Sequence, residues 1–307
     1  MFSHGEYFDL QVNGYGGVDF NQDDLTVDDL HRACEKLRGD GVGGILATVI
    51  TEHVDLMCAR VTRLASSRNQ DPLARQIIQG IHIEGPFLNE TTGYRGAHPA
   101  DAIKPANLDD AQRLFDASQG LLKLMTLAPE RDLNLATTKW LARQNVVISA
   151  GHTDAPLDQL KAAIDAGLSM FTHVGNGCPM TGMHRHDNII QRALHLHENL
   201  WLCFIADTVH VPAVALKNYL ELAGDKAIVV SDAIAPAGLG PGRYTLGRWD
   251  VLIADDMVAR APDGSHFIGS AITMRQNHAN LRDQLGLSEA RCRRLLVENP
   301  RTAMGIR

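Results

Sequence analysis

The chain has 307 residues, of which 45% are hydrophobic and 21% charged, with a formal net charge of −7. That length suits one large α/β barrel or two ordinary domains, and the composition is that of a globular protein. The acidic balance, with interspersed bases, argues against nucleic acid or an anionic membrane as a partner. No apolar run reaches the roughly 18–20 residues that a membrane span needs.

The cysteine pattern indicates a reducing compartment. There are five cysteines, an odd number, widely spaced and without a CxxC pair, which argues against a disulfide framework or a thiolate zinc site. The start, MFSHGEYFDL, lacks a basic region followed by an apolar stretch, so no signal peptide is expected. We therefore expect a cytoplasmic protein.

Short apolar runs alternate with amphipathic stretches along the chain. The predicted strands cover residues 8–13, 44–51, 77–84, 122–128, 146–151, 170–175, 201–207 and 227–231. The predicted helices between them include residues 27–37, 54–66, 133–143, 157–166 and 212–222. Eight such units in this length predict a (β/α)8 TIM barrel over residues 1–307, with a small β insert near 240–269.

Polar side chains end almost every predicted strand. In a barrel these positions converge at the carboxyl ends of the strands, where catalytic groups gather. The residues are Gln11, Asn13, Thr51, Glu84, Glu130, His152, His173, Asp207 and Asp232.

Three of these strand ends form a candidate metal site. Glu84, His152 and His173 supply one carboxylate and two imidazoles, a zinc set that leaves a fourth position for water. Taken singly, each histidine is better explained as a hydrogen-bonded core or rim residue. The three together favour the metal site.

Glu84 and His82 lie two residues apart on the same predicted strand. Side chains alternate along a strand, so both face the barrel interior if Ile81 and Ile83 face the helices. We expect Glu84 at the mouth of the barrel, which is its open end at the carboxyl ends of the strands. His82 is expected one layer deeper, as a supporting residue.

Asp232, in VVSDAIAPAG, is a candidate general base. A carboxylate there is placed to accept a proton from a water that a metal has made more acidic. The alternative is a helix N-cap, a role that Asp favours, but the following residues resemble a loop.

Histidines in the predicted mouth loops complete the candidate set. His98, in YRGAHPA, is placed to stabilise an oxyanion, or else is a solvated loop residue. His210 and the cluster of His184, Arg185 and His186 put cationic groups on two further loops, where they could hold a phosphate. For the cluster, a solvated charge run is the simpler interpretation.

These motifs resemble those of the N-acetylglucosamine-6-phosphate deacetylase family, in the amidohydrolase superfamily. They follow the family's order from residue 8 to about 275. The segments are FDLQVNGYGGVDFN, IHIEGPFLN with GAH, LAPE, ISAGHT, THVGN, ADTVHV, SDAIAPAG and GSAITM.

The resemblance implies a role for each matched residue. Glu84, His152 and His173 would bind one divalent metal ion, commonly zinc. Asp232 would act as general base and then general acid, and His98 would contact the acetyl carbonyl. The resemblance also implies an amino sugar phosphate as substrate and a homodimer. The expected substrate-binding residues are Asn176, Gly177, His210, Arg185, His184, Gln11 and Asn13.

The first strand distinguishes this chain from many amidohydrolases. It ends in Gln11-Val-Asn13 where they carry HxH for a second metal. Neutral amides are poorer zinc ligands than imidazole, so a single metal is expected.

Three departures from the family pattern accompany the match. The family's aromatic-Asn-Ala-Met run is replaced here by Gly175-Asn176-Gly177-Cys178. Its His-Arg-Glu-Pro-Gly segment is replaced by His184–Asn188, which retains the positive charge at Arg185. We also expect the family's accessory β-sandwich to be truncated or missing.

The predicted activity is therefore metal-dependent removal of the acetyl group from N-acetylglucosamine 6-phosphate. Two alternatives remain open. One keeps the chemistry on a different N-acyl sugar or an N-acyl amino acid, and the other is a non-catalytic sugar-binding relative.

Overall fold

Eight consecutive parallel strands form the main sheet of the protein. The computed structural model describes residues 6–254, 258–261, 264 and 267–306. Neighbouring strands pair in chain order, as in a (β/α)8 barrel. The strands are β1 Tyr7–Val12, β2 Val42–Ile50, β3 Ile78–Glu84, β4 Leu122–Leu127, β5 Val147–Ala150, β6 Leu168–Phe171, β7 Trp201–Ile205 and β8 Ala227–Val230.

The barrel closes between β1 and β8. Val12 forms a parallel bridge with Ala233, and the backbone N–H of Asn13 donates to the Ala233 carbonyl over 2.6 Å. The predicted barrel and its eight strands are thus confirmed, with end positions that differ by a few residues.

Helices connect the strands and cover the outside of the sheet. They are α1 Val27–Gly39, α2 Val54–Gln70, α3 Pro72–Ile77, α4 Leu108–Ala117, α5 Ala136–Arg143, α6 Leu157–Asp165, α7 Ile189–His195, α8 Ala213–Ala223, α9 Met274–Asp283, α10 Glu289–Arg293 and α11 Asn299–Ala303. Thr26 caps α1, since its hydroxyl accepts the Asp29 N–H over 3.1 Å.

The helix predicted from Leu133 begins three residues later. Leu133–Leu135 is a 3-10 turn, with Asn134 and Leu135 in the left-handed region. The Asp132 carboxylate accepts the Thr137 and Thr138 N–H groups over 3.0 and 2.7 Å. Because these donors belong to the first turn of α5, the cap fixes the helix start at Ala136.

Two apolar layers hold the barrel together. Ile81 and Ile83 pack in the layer between strands and helices. A second cluster includes Leu46 and Leu124, which lie beside the interior positions of β3, and Met304 packs against it. The parity expected for His82 and Glu84 is therefore confirmed, because both side chains are buried on the face opposite the two isoleucines.

A small antiparallel sheet follows the barrel strands. It consists of β9 Gly242–Leu246, β10 Trp249–Ile253 and β11 Ala259–Arg260. Residues 255–257, 262, 263, 265 and 266 of the predicted insert lie outside the described part of the chain. At the β9–β10 turn, Arg248 binds the Glu52 and Asp101 carboxylates, which ties the turn to two mouth loops.

In the residues described, no helix combines the length and apolarity that a membrane crossing requires.

Candidate active site

Glu84 is the centre of a buried group of histidines at the carboxyl end of the barrel. His173 Nε2 lies 3.0 Å and His152 Nε2 3.2 Å from the same carboxylate oxygen, Oε1. His98 Nε2 lies 3.9 Å from Oε2 and 3.2 Å from His152 Nε2. Residues separated by up to 89 positions thus meet at one point. Burial alone would raise the pKa of Glu84, but hydrogen bonds from His152 and His173 hold it well below its usual range.

The arrangement of donor atoms in this group fits a bound cation. His152 Nδ1 lies 2.8 Å from the Tyr94 carbonyl, which only accepts, so Nδ1 carries the proton. Nε2 of His152 then faces Glu84 Oε1 over 3.2 Å. A divalent metal ion bound between the two atoms would replace that contact, and donor separations of about 3.3 Å follow from zinc–nitrogen bonds of about 2.0 Å in a tetrahedron. The donor set therefore fits a divalent metal.

Among the described residues, the mutual donor distances identify one triad that could hold a metal ion, and it differs from the predicted one in a single histidine. One donor atom each of Glu84, His98 and His152 lies within 4.8 Å of the others. The predicted triad has His173 in place of His98, and His173 Nε2 is closer to Glu84 than His98 Nε2 is. Within the described residues, Nδ1 of both His98 and His173 is buried without a hydrogen-bond partner.

His98 is buried rather than solvated, with 8% of its surface exposed. Its ring packs edge-on against His152, at 4.3 Å between centroids. Burial lowers the pKa of His98 to about 3, and His152 adds to the effect. The loop after β3 therefore delivers a neutral imidazole to the centre of the site.

Asp232 follows β8 and is held by Asn13. Asn13 Nδ2 donates to Asp232 Oδ1 over 2.8 Å. Burial, and then the nearby charge of Glu84, raise the pKa of the Asp232 carboxyl. The chain continues from Asp232 into a bridge and a turn, so the helix-cap alternative is wrong.

Gln11 lies beside Asn13 on the first strand and contacts the other carboxylate. Its Nε2 donates to Glu84 Oε2 over 3.1 Å. The two amides at the end of β1 thus orient Glu84 and Asp232 separately.

The backbone turns sharply where three site residues leave their strands. His152, His173 and Asp232 have φ values of 51°, 30° and 51°. Residues with a Cβ rarely adopt this left-handed region, and such conformations cluster at functional sites. Each turn directs a side chain from the end of its strand into the mouth.

Of the expected sugar contacts, Gly177 packs directly against the site. A Cβ on Gly177 would lie 2.8 Å from His152 Nδ1, so the loop after β6 needs glycine there. Asn176, next to it, has a buried Nδ2 with no partner among the described atoms. His210 Nδ1 bonds to the Asp207 carboxylate, and its ring lies 4.8 Å from that of Phe267. That bond lets Asp207 fix the orientation of His210.

The cationic cluster is exposed on a loop and makes no contact with this group among the described residues. His184, Arg185 and His186 are exposed on the loop between β6 and α7, and no contact joins them to Glu84 within the described residues. His184 Nδ1 instead accepts the Asp187 N–H over 2.9 Å.

Asp9 is a buried carboxylate near the site that is not among the residues predicted from the sequence. Asp9 accepts hydrogen bonds from the backbone N–H and the hydroxyl of Ser231, the residue before Asp232. It thereby joins β1 to the end of β8. The sequence feature that could have indicated this contact is a carboxylate within an otherwise apolar predicted strand.

Known proteins resemble this chain in both sequence and fold. The fold and the strand-end group are those of a (β/α)8-barrel enzyme. No protein-family model matches the chain. An N-acetylgalactosamine-6-phosphate deacetylase from Escherichia coli O157:H7 is 30% identical over 98% of this chain and 77% of its own length. One from Shewanella sp. (strain ANA-3) is 32% identical over 92% and 70%.

A solved structure agrees with these relatives. It is a Mycobacterium smegmatis N-acetyl-D-glucosamine-6-phosphate deacetylase mutant in complex with N-acetyl-D-glucosamine-6-phosphate. It superposes with a TM-score of 0.88 at 30% identity, over 98% of this chain and 77% of that one. The chain belongs to the N-acetylglucosamine-6-phosphate deacetylase family of amidohydrolases.

Proposed function

We propose that this protein hydrolyses the acetamide of N-acetylglucosamine 6-phosphate, releasing acetate and glucosamine 6-phosphate. The observation that carries the proposal is the Glu84 carboxylate, flanked by His152 and His173 and accompanied by Asp232, in a chain of this family.

We assign one divalent metal ion, zinc, to Glu84, His152 and His173. His152 and His173 bracket the same Glu84 oxygen at 3.2 and 3.0 Å, which supports this triad over the one with His98. When bound, the ion polarises the acetyl carbonyl and makes a water acidic enough to lose a proton near neutral pH.

Asp232 moves the proton. Its carboxylate takes one from the attacking water and later returns it to the departing amine nitrogen, so the side chain ends as it began. The water oxygen first bonds to the acetyl carbon, and the C–N bond breaks once the nitrogen is protonated, so that acetate and the free amine leave. Asn13 holds Oδ1 during both transfers, which leaves Oδ2 for the proton.

His98 is assigned to the carbonyl oxygen. Because burial lowers the pKa of His98 to about 3, it stays neutral at physiological pH and stabilises the developing oxyanion as an N–H donor.

The remaining side chains of the mouth are assigned to the sugar and its phosphate. Asn176 and Gly177 border the site beside His152 and are assigned to the sugar. His210 is assigned to the phosphate, together with His184 and Arg185, which carry exposed cationic groups. Gln11 and Asn13 contribute through the carboxylates that they orient.

The family also supports assignments beyond the site. We assign residues 1–307 to one catalytic barrel with the β9–β11 insert, a homodimer as the assembly and the cytoplasm as the compartment. Sedimentation equilibrium tests the dimer.

N-acetylgalactosamine 6-phosphate is a second candidate substrate. The two deacetylase relatives at 30% and 32% identity act on that sugar by name. The two sugars differ only in the configuration at C4, so the chemistry at the acetamide is unchanged.

Acetate release tests the proposal. Zinc-loaded protein is assayed with both sugar phosphates and with unphosphorylated N-acetylglucosamine, with Asp232→Asn as the control for the base. We expect the highest kcat/KM with N-acetylglucosamine 6-phosphate and a loss of at least about 1,000-fold in Asp232→Asn. Preference for the galactosamine epimer would favour the second candidate, and no turnover of any of the three would refute the deacetylase.

A further inference from the structure

Residues outside the proposed metal ligands hold His152 in its left-handed conformation. Its carbonyl accepts the Asn89 N–H over 3.0 Å, and its ring hydrogen-bonds to the Tyr94 carbonyl. Both partners belong to the loop after β3, which also carries His98. Since φ of +51° is unfavourable for a residue with a Cβ, these contacts have to hold the turn in place.

Glu130 is the group that connects these restraints. It follows β4, in the 3-10 turn Pro129–Arg131. Its Oε1 accepts the Asp154 N–H over 2.8 Å and the Asn89 side-chain amide over 2.9 Å. Its Oε2 accepts the Thr153 hydroxyl. One carboxylate therefore joins the loops after β3, β4 and β5.

These bonds lie directly beside His152 in the chain. Thr153 and Asp154 are the next two residues, so fixing them fixes the direction in which the chain leaves the left-handed turn. Asn89 completes the link, because its backbone N–H holds His152 while its side chain holds Glu130. Among the described residues, Glu130 itself makes no hydrogen bond or ion pair with Glu84, His98 or His173, and the proposed reaction does not use it.

We propose that Glu130 is a positioning residue that sets the metal affinity of the site by holding His152 in its left-handed turn. This inference rests on the proposed metal triad of Glu84, His152 and His173. Hydrogen-bonded supports of metal ligands commonly account for about 10- to 100-fold in metal affinity.

Asp132 provides a matched control two residues further along. Its buried carboxylate also accepts three hydrogen bonds, from the Thr137 and Thr138 N–H groups and the Thr138 hydroxyl. Those donors belong to α5 and not to a mouth loop. Asp132→Ala therefore removes the same number of hydrogen bonds without releasing His152.

The test is a zinc titration of the full chain, freed of metal and read against a competing colorimetric chelator. We expect Glu130→Ala to raise the zinc dissociation constant by about 10- to 100-fold. Asp132→Ala is expected to stay within about threefold of wild type, although it lowers the Tm. Glu130→Gln keeps Oε1 for Asp154 and Asn89, so its zinc affinity is expected to lie between those of wild type and Glu130→Ala.

Each of the following outcomes would overturn the inference. Wild-type affinity in Glu130→Ala would do so, as would equal losses of affinity in Glu130→Ala and Asp132→Ala, which would indicate general destabilisation. Wild-type protein that binds no zinc would refute the proposed metal site and this inference with it. If Glu130→Ala does not fold, Glu130→Gln decides: a loss of affinity of threefold or more supports the role of Glu130, and an unchanged affinity overturns it.

Discussion

Asn13 Nδ2 donates a hydrogen bond to Asp232 Oδ1 over 2.8 Å, across 219 residues of chain. On the same strand, Gln11 Nε2 donates to Glu84 Oε2 over 3.1 Å. The two amides occupy the positions where many amidohydrolases carry the two histidines of the HxH motif. Here each one supports a carboxylate with a different proposed role.

The two amides should have separable effects. Asn13→Ala is expected to lower kcat by about 10- to 100-fold with zinc affinity unchanged, because it frees the proposed base. Gln11→Ala is expected to weaken zinc binding by a similar factor, because it frees a proposed metal ligand. Steady-state kinetics and zinc titration of both variants check this. Equal effects of the two substitutions on both quantities would contradict the separation.

Substitution of single donors should identify the metal triad. We expect Glu84→Gln, His152→Ala and His173→Ala each to lose stoichiometric zinc, measured by mass spectrometry of the metal after gel filtration. His98→Ala should retain zinc while kcat falls about 100- to 1,000-fold, the usual effect of removing an oxyanion donor. Zinc retained in His173→Ala and lost in His98→Ala would instead identify Glu84, His98 and His152 as the ligands.

The buried Asp9 should make stability depend on pH. Burial raises its pKa from 3.8 to about 7, against the opposing hydrogen bonds from Ser231. Between these values the folded state binds more protons than the unfolded state, so the Asp9 contribution to the free energy of unfolding falls as pH rises from about 4 to about 7. Its upper limit is on the order of 4 kcal/mol.

The comparison with Asp9→Asn isolates this effect from other titrating groups. Urea unfolding of both proteins is measured at intervals from pH 4 to pH 8. The stability of wild type minus that of Asp9→Asn should decrease across this range and level off above it. A difference that is constant with pH would show that Asp9 keeps an ordinary pKa in the folded protein.

The sequence predicts the strands and the proposed triad for one physical reason. Apolar periodicity locates each strand, and the carboxyl ends of the strands in a barrel meet, so Glu84, His152 and His173 could be placed together. The contacts that orient them could not be predicted. Gln11 lies 73 residues from Glu84, and Asp9 lies 222 from Ser231. Such pairs depend on the register between strands, which periodicity does not give.

Local contacts explain where α5 begins and why His98 takes the site position among its two predicted alternatives. Residues 133–143 have a helical pattern, but the Asp132 carboxylate selects the Thr137 and Thr138 N–H groups and so fixes the start of α5 at Ala136. His98 follows a glycine-containing loop typical of exposed segments. Its burial arises because the loop folds back over the mouth, where Gly96 approaches the His152 ring.

The turn between β9 and β10 should stabilise the mouth loops. Arg248 Nε donates to Glu52 Oε2 over 2.8 Å, and Nη1 lies 3.1 Å from an Asp101 oxygen, three residues after His98. The Glu52 side chain is only 6% exposed. Burial by itself would raise the pKa of Glu52, but the bond to Arg248 holds it below its usual range.

Arg248→Ala leaves the buried Glu52 carboxylate without its cation. We expect a loss of about 1–3 kcal/mol in the free energy of unfolding, the usual result of depriving a buried polar group of its partner. Arg282→Ala is the matched control, because both side chains of the Arg282–Asp283 pair are exposed and the pair should contribute little to stability. Chemical unfolding of both variants measures the difference.

Limited proteolysis should also show faster cleavage in the loop from Glu90 to Asp101 for Arg248→Ala, because the turn no longer anchors Asp101. Equal stability of the two variants, with unchanged cleavage, would show that the turn does not hold the loop that carries His98.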